Sequence, residues 1–365
     1  MPELPEVETI ARKLRPVLAG RRIVVTDILW TGIVDRPDLQ TFQERLNGSQ
    51  ITDVGRRGKF LVFELDGDGT LLVHLRMSGK FTVRPPEAGP GDHKHARARI
   101  RLDNGVWLIY VDQRKFGRFY LVDDPEEIVE DLGPEPLAPG FRAEDLCRRL
   151  SGRRGEIKRL LLNQHFVAGL GNIYANEALW RAGIHPQRVA GSLSEAECHA
   201  LYRAIVAVLE QSIQHGGTSL DDRQYVYPDG GLGEHQEHLK VYDQAGNTCV
   251  RCGCVVERFV QGQRSTYYCP VCQPERVSMP EQEPQSSADL HKEIGAMKTT
   301  TLNVSGMSCG MCVKHVTHAL KELNGVVNVE VELEPGTAKV TYDEDVTGMD
   351  EFRTAVAEAG YQVVN

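Results

Sequence analysis

Near the start of the chain, Val7, Ile10, Leu14, Val17 and Leu18 are spaced to line one face of a helix, and Gly20 ends the pattern. An amphipathic helix is therefore expected over residues 5–19. From there to about residue 122 the pattern shortens to strand-like runs. The candidates are Arg22–Trp30, Phe60–Leu65, Thr70–Arg76, Arg97–Leu102, Val106–Val111 and Arg118–Val122, with Asn104-Gly105 as a hairpin turn between two of them. Short strands at this spacing predict a β-sandwich. The stretch Leu132-Gly133-Pro134-Glu135-Pro136-Leu137-Ala138-Pro139-Gly140 then marks a boundary.

Helical periodicity resumes over 143–151, 156–162, 172–182 and 194–214, and Gly216-Gly217 closes the last of these. A Gly-rich polar loop runs from Thr218 to about Glu237, and two cysteine pairs flanking a hairpin pattern follow it. Residues rich in Pro, Gln, Glu and Ser then read as a linker. The tail shows a strand at 299–305, a helix at 310–323, strands at 326–333 and 336–342, a helix at 349–359 and a strand at 361–364. That order is βαββαβ, the ferredoxin-like arrangement. The expected fold is thus multidomain α+β, divided at 1–134, 135–240, 241–273, 274–297 and 298–365.

Composition changes this picture in three ways. A chain of 365 residues with 41% hydrophobic content is globular and long enough for several domains. No apolar run approaches a membrane span and no secretory leader pattern opens the chain, so a cytoplasmic location is expected. The net charge of −9 argues against nucleic acid, but residues 298–365 hold −5 of it, leaving −4 elsewhere. Within Arg142–Arg159 seven basic side chains face three acidic ones, and local patches govern phosphate binding.

Three C-x-x-C pairs occur among the nine cysteines, which reads as metal ligation in a reducing compartment. Cys249, Cys252, Cys269 and Cys272, with sixteen residues between the pairs, predict a closed tetrahedral site for one structural Zn²⁺. Cys254 is expected to pack beside it, and Cys147 and Cys198, each alone in a helical pattern, to be inert core residues. The hairpin between the pairs would present Arg264 as a rigid phosphate grip. Cys309 and Cys312, in Gly306-Met307-Ser308-Cys309-Gly310-Met311-Cys312 at a helix start, favour a soft cation such as Cu⁺. At the other end, removal of Met1 would make Pro2 a free secondary amine with a pKa of roughly 8. Such an amine can attack a sugar's anomeric carbon and form an imine.

Met1-Pro2-Glu3-Leu4-Pro5-Glu6-Val7-Glu8-Thr9, Arg56-Arg57-Gly58-Lys59, His74-Leu75-Arg76-Met77-Ser78-Gly79, Gly169-Leu170-Gly171-Asn172-Ile173-Tyr174-Ala175 and Gln263-Arg264-Ser265-Thr266-Tyr267-Tyr268-Cys269-Pro270-Val271-Cys272-Gln273 resemble the formamidopyrimidine-DNA glycosylases. The likeness spans residues 1–273. It implies a bifunctional glycosylase and abasic-site lyase acting on double-stranded DNA that carries oxidised purines or abasic sites, and Leu4 favours that purine branch. By the same resemblance Pro2 is the nucleophile, with Glu3, Glu6 and Lys59 as its catalytic partners. Met77, Arg114 and Phe116 would fill the gap left by a flipped nucleotide. Phosphates would be held by Lys59, His74, Asn172 and Arg264, within a helix-two-turns-helix module.

The sequence departs from the family pattern at Gln113, Lys115 and Asn163. It also lacks the Tyr-Phe usual before Gln236, in the loop that cups the extruded base in relatives. The tail resembles heavy-metal-associated domains, with Met307 packing beneath the metal loop and Tyr361 near it. This implies a copper donor or acceptor protein as a further partner. A monomer in the bacterial cytoplasm, associated with the nucleoid, is expected. The alternative is a non-catalytic DNA-binding protein with a metal-sensing tail.

Overall fold

The computed structural model describes residues 2–67, 69–220, 225–275, 297–307, 310–321, 323, 326–343 and 347–364. The chain separates into two compact units, Met1–Pro280 and Glu281–Asn365.

The first unit opens with α1 (Leu4–Leu18), which starts at Pro5 within its first turn and buries Val7, Ile10, Leu14 and Leu18, the face read from the sequence. There follow β1 (Ile23–Ile28), β2 (Val34–Arg36), α2 (Leu39–Leu46), β3 (Ile51–Arg57), β4 (Phe60–Leu65), β5 (Thr70–His74), β6 (Gly79–Arg84), β7 (Ala96–Leu102), β8 (Trp107–Asp112) and β9 (Arg118–Val122). They build two sheets, ordered β1-β7-β8-β6 and β2-β9-β5-β4-β3. Phe63, Phe81, Tyr110 and Phe119 fill the space between the sheets together with Leu14 and Leu18 of α1. The expected β-sandwich with a packed helix is therefore present.

The pattern did not reveal β3 or β6. In β3 the fully buried residues are Ile51 and Val54, three apart, and Gly55-Arg56-Arg57 completes the strand, so no period of two survives. Those arginines are structural. Arg56 donates to Glu8 (3.0 Å) and Glu135 (2.6 Å), and Arg57 to Glu135 (3.2 Å), which ties α1 and the 132–135 segment to the β3–β4 turn.

Beyond β9 come α3 (Glu126–Val129), α4 (Ala143–Leu150), α5 (Ile157–Leu162), α6 (Asn172–Ala182) and α7 (Glu195–Gln214). Ser194 and Glu197 form a capping box at the start of α7. A second core unites these helices through Leu146, Leu161, Tyr174, Leu179, Leu201 and Ile205. Cys147 and Cys198 both belong to this core, Cys198 buried and Cys147 half-buried against it. Cys147 of α4 packs against Cys198 of α7, whose thiol is pushed up to about 12 by burial, with Cys147 beside it. A hairpin of β10 (Glu257–Gln261) and β11 (Arg264–Tyr268) closes the unit.

The second unit is β12 (Met297–Ser305), α8 (Gly310–Lys321), β13 (Val326–Glu332), β14 (Thr337–Asp343), α9 (Met349–Glu358) and β15 (Gln362–Val364), in the sheet order β13-β14-β12-β15. This is the expected ferredoxin-like fold. Leu302, Val316, Leu320, Val340 and Phe352 form its core.

Candidate active site

Glu3 and Glu6 are the first acidic residues of the chain, yet both are almost fully buried, at 3% and 2% exposure. Buried carboxylates require partners. Glu3 finds them at the start of α6, where its carboxylate accepts from the backbone N–H groups of Gly171 (2.8 Å), Ile173 (2.9 Å) and Tyr174 (3.4 Å). Unpaired N–H groups and the helix dipole at an N-terminus favour an anion, so this position holds the carboxylate in one orientation. Only a glycine permits it, because a Cβ on Gly171 would lie 2.4 Å from Glu3 Oε1. The Gly-Leu-Gly-Asn run is thus matched to the chain's own third residue. Pro2, beside Glu3, is buried as well.

Glu6 takes a different set of partners. It accepts from Glu3 N (2.8 Å), Thr218 N (2.8 Å) and the Tyr174 hydroxyl, which also contacts Ser212 Oγ (2.6 Å) and Thr218 Oγ1 (2.8 Å). Burial, reinforced by the neighbouring Glu3 charge, raises its pKa to about 7. Glu6 can therefore hold or release a proton near neutrality one hydrogen bond from Glu3. Tyr174, Ser212 and Thr218 had no assigned role in the sequence reading. They are ordinary residue types, joined only because α1, α6 and the end of α7 meet here.

Lys59, on the β3–β4 turn, is 6% exposed and donates to Leu170 O (2.7 Å), the carbonyl that Gln164 Nε2 also reaches (2.8 Å). Burial lowers its pKa to about 8 against the opposing pull of Glu3. His74, paired in register with Phe60, is pushed down to about 3 by burial, with the charges of Arg76 and Lys59 nearby. It is neutral, and because its Nδ1 accepts from Arg76 N (3.0 Å), Nε2 carries the proton as a donor. His74 thus offers a neutral hydrogen bond to an anion in place of a cation.

The finger hairpin meets this centre through Asn172, whose Nδ2 donates to Ser265 O (2.9 Å). Lys158, overlooked in the sequence, is 1% exposed and donates to Ser265 O (3.0 Å) and Thr266 Oγ1 (2.7 Å). Burial lowers its pKa to about 7, with Arg264 adding to the effect. Arg264 itself is exposed at the start of β11. The sulfur atoms of Cys249, Cys252, Cys269 and Cys272 lie within 4.8 Å of one another, and Cys249 and Cys272 are 3.8 Å apart. A tetrahedron with Zn–S bonds of about 2.3 Å has edges of about 3.8 Å, so this donor set fits zinc. Cys254 stays outside the cluster as a packed neighbour, and its carbonyl accepts from Cys249 N (2.7 Å).

Met77 and Phe116 could each have been core residues, but they are 41% and 46% exposed. Arg114 joins them, with Nη1 3.2 Å from the Met77 sulfur and its guanidinium 4.9 Å from the Phe116 ring centre. One buried carboxylate organises both loops. Asp112 accepts from Ser78 Oγ (2.5 Å), Arg114 N (3.1 Å) and Gly117 N (2.9 Å). Its place at the head of Asp112-Gln113-Arg114 was the available signal. Lys115 stacks on Trp30, 3.9 Å from the ring centre, and Gln113 is exposed.

In the tail unit Cys309 lies outside the described residues. Cys312 stands half-buried on the first turn of α8, and Met307 and Tyr361 pack against the tail's core. No helix among the described residues is long and apolar enough to cross a membrane.

Known protein families match successive segments of this chain. The profile of the formamidopyrimidine-DNA glycosylase N-terminal domain matches residues 1–119, that of the same enzymes' H2TH domain 132–224, and that of the zinc finger found in FPG and IleRS 246–274. The heavy-metal-associated domain profile matches 301–362. The formamidopyrimidine-DNA glycosylase of Chloroflexus aurantiacus is 48% identical over 276 residues, covering 75% of this chain and 98% of that protein. That of Herpetosiphon aurantiacus is 47% identical, covering 75% and 100%. Lactococcus lactis Fpg in complex with DNA containing an abasic site superposes with a TM-score of 0.69 at 35% identity, over 75% of this chain and all of that one. A mutant of the same enzyme in complex with DNA containing Fapy-dG gives 0.70 at 35% identity, with the same coverage.

Proposed function

Because the chain belongs to the formamidopyrimidine-DNA glycosylase family, we propose that it excises oxidised purines from double-stranded DNA and cleaves the resulting abasic strand through an imine at Pro2. The observation that supports this reading is the seating of the Glu3 carboxylate on the α6 N-terminus, with Glu3 N donating to Glu6 and Pro2 buried next to Glu3 in the chain. A binder would have no use for such an arrangement.

In the first step the Pro2 nitrogen lone pair attacks C1′ and the bond to the damaged base breaks. Glu3 exchanges a proton with the sugar oxygen as the ring opens, and Glu6 serves as the adjacent proton reservoir. The resulting iminium draws electrons from C2′, a 2′ proton leaves, and the 3′ phosphate is expelled. Lys59, the His74 Nε2–H, Asn172 and Arg264 hold flanking phosphates, and Met77, Arg114 and Phe116 occupy the vacated stack. A single structural zinc keeps the hairpin in place. The protein acts as a monomer in the bacterial cytoplasm, at the nucleoid. On a duplex with one 8-oxoguanine, purified protein is expected to release the base and nick the strand. Intact strands after prolonged incubation would reject this reading.

The tail is a Cu⁺ site formed by Cys309 and Cys312, served by a copper donor or acceptor protein. Two thiolates without a carboxylate before them suit a soft, low-coordinate ion. One Cu⁺ per chain is expected, lost in the Cys309→Ala/Cys312→Ala double variant. Unchanged stoichiometry in that variant would place the copper elsewhere.

A further inference from the structure

The segment Gly216-Gly217-Thr218 supplies one of the two backbone N–H groups that hold Glu6, that of Thr218. Gly216 and Gly217 both adopt positive φ, at 70° and 83°, and a Cβ on Gly217 would lie 3.1 Å from Glu6 Oε1. Two consecutive glycines give a close approach at the expense of stiffness. The turn is held on one side by Gly217 N, which donates to Ser212 O (2.8 Å), and by the Tyr225 hydroxyl, which donates to Gly216 O (2.8 Å).

Three histidines surround it. His215 ends α7, while His235 and His238 lie on the short helical turn that follows the loop. His235 N donates to Gly217 O (3.1 Å), and Glu234 N donates to His215 O (3.0 Å), so the two strands of chain are stitched across the glycines. The side chains add a second stitch, with His215 Nδ1 and His235 Nδ1 3.2 Å apart. Their ring centres are 5.5 Å apart, longer than the N···N distance by about one ring's width, so the two nitrogens face each other end on. This is the geometry of one shared N–H···N bond. Two lone pairs converging on a metal ion would meet at an angle.

We propose that His215 and His235 are a positioning pair for Glu6, whose single shared proton locks the Gly216–Thr218 turn against the reaction centre. The inference rests on the reading of Glu6 as part of that centre.

Chemistry imposes a rule on such a pair. One imidazole must donate and the other accept, so the bond survives with one added proton and fails with two, when N–H faces N–H. The surroundings oppose protonation. His235 is 3% exposed, His238 stacks on His215 with ring centres 3.8 Å apart, and Lys240 adds positive charge. Tyr174 of α6 faces the His235 ring, with Glu6 of α1 behind it, and Glu234 and Glu237 are exposed on the same turn. Burial, then the charges of His215 and His238, lower the His235 pKa from 6.5 to about 4. A histidine depressed on folding stabilises the fold fully above its free pKa. That contribution is lost as pH falls through the folded value. The lock should hold at neutral pH and open in acid.

The test compares full-length, zinc-loaded wild type with His235→Phe, His215→Gln and His215→Ala in single-turnover base excision against pH. Between about pH 6.5 and about pH 3.5, a window that spans the folded His235 value, the wild-type rate should fall about fourfold more than that of His235→Phe, which keeps a packed ring but has no proton to share. His215→Gln can still donate to His235 Nδ1, so it should retain neutral-pH activity better than His215→Ala. In ¹⁵N-histidine NMR at neutral pH, one of the two Nδ1 atoms should be protonated and the other bare. Parallel pH profiles in wild type and His235→Phe, or two Nδ1 atoms in the same state, would overturn the pair. Borohydride trapping at neutral pH separates the two failures, since an adduct with parallel profiles sinks this inference alone. Absence of an adduct in every protein sinks the reading beneath it.

Discussion

Glu3→Gln is expected to reduce base excision by roughly two to four orders of magnitude, the range over which a positioned proton-transfer group contributes. The substitution is nearly isosteric, so Pro2 stays where it is. What disappears is the charge at the α6 N-terminus and the ability to pass a proton to the ring oxygen of the opening sugar. Three backbone N–H groups now share one carboxylate, whereas a glutamine would offer them a single oxygen and turn its own NH₂ toward a donor. A stability loss of about 1–2 kcal/mol, as for a removed helix cap, should accompany the effect. Single-turnover kinetics and thermal unfolding on the same preparation separate the two. Excision within tenfold of wild type would show that Glu3 is only a cap.

Removing zinc is the second large effect. The β10–β11 hairpin has five paired positions and is anchored by the four cysteines at its base, so metal release should unfold it. Arg264 then loses its fixed direction, and Lys158 and Asn172 lose the Ser265 carbonyl they share. A single charge-assisted contact is worth about 1.5–3 kcal/mol, so Arg264→Ala should weaken DNA binding roughly 10–100-fold. Chelation should cost more, because Lys158 is left buried without acceptors. Fluorescence anisotropy on an abasic-site duplex, before and after chelation and on zinc restoration, measures this. Equal affinity in both states would remove the finger from the binding account.

The parts of this molecule that could be read from its sequence are those set by local rules. Helical spacing over Val7–Leu18 gave α1, Asn104-Gly105 gave the β7–β8 hairpin, and cysteine spacing gave the finger. The parts that escaped depend on distant segments meeting. Glu6 is 212 residues from Thr218, and no local pattern announces that they share a hydrogen bond. Asp112 is legible as a polar residue at a strand end, but its hold on the Met77 and Arg114 loops emerges only when β6 and β8 pair. Cys147 and Cys198 looked solitary because α4 and α7 are far apart in sequence. Strand β3 was hidden because its two arginines face charged partners instead of solvent, which erased the alternation that marks a half-buried strand.

All of the proposed chemistry passes through one nitrogen. Wild-type protein incubated with an 8-oxoguanine duplex, reduced with borohydride and digested with a protease gives a peptide that mass spectrometry can locate. The DNA remnant is expected on a peptide beginning at Pro2, with Met1 absent. A stable adduct on Lys59 or Lys158 with Pro2 unmodified, or cleavage by protein that retains Met1, would contradict that assignment.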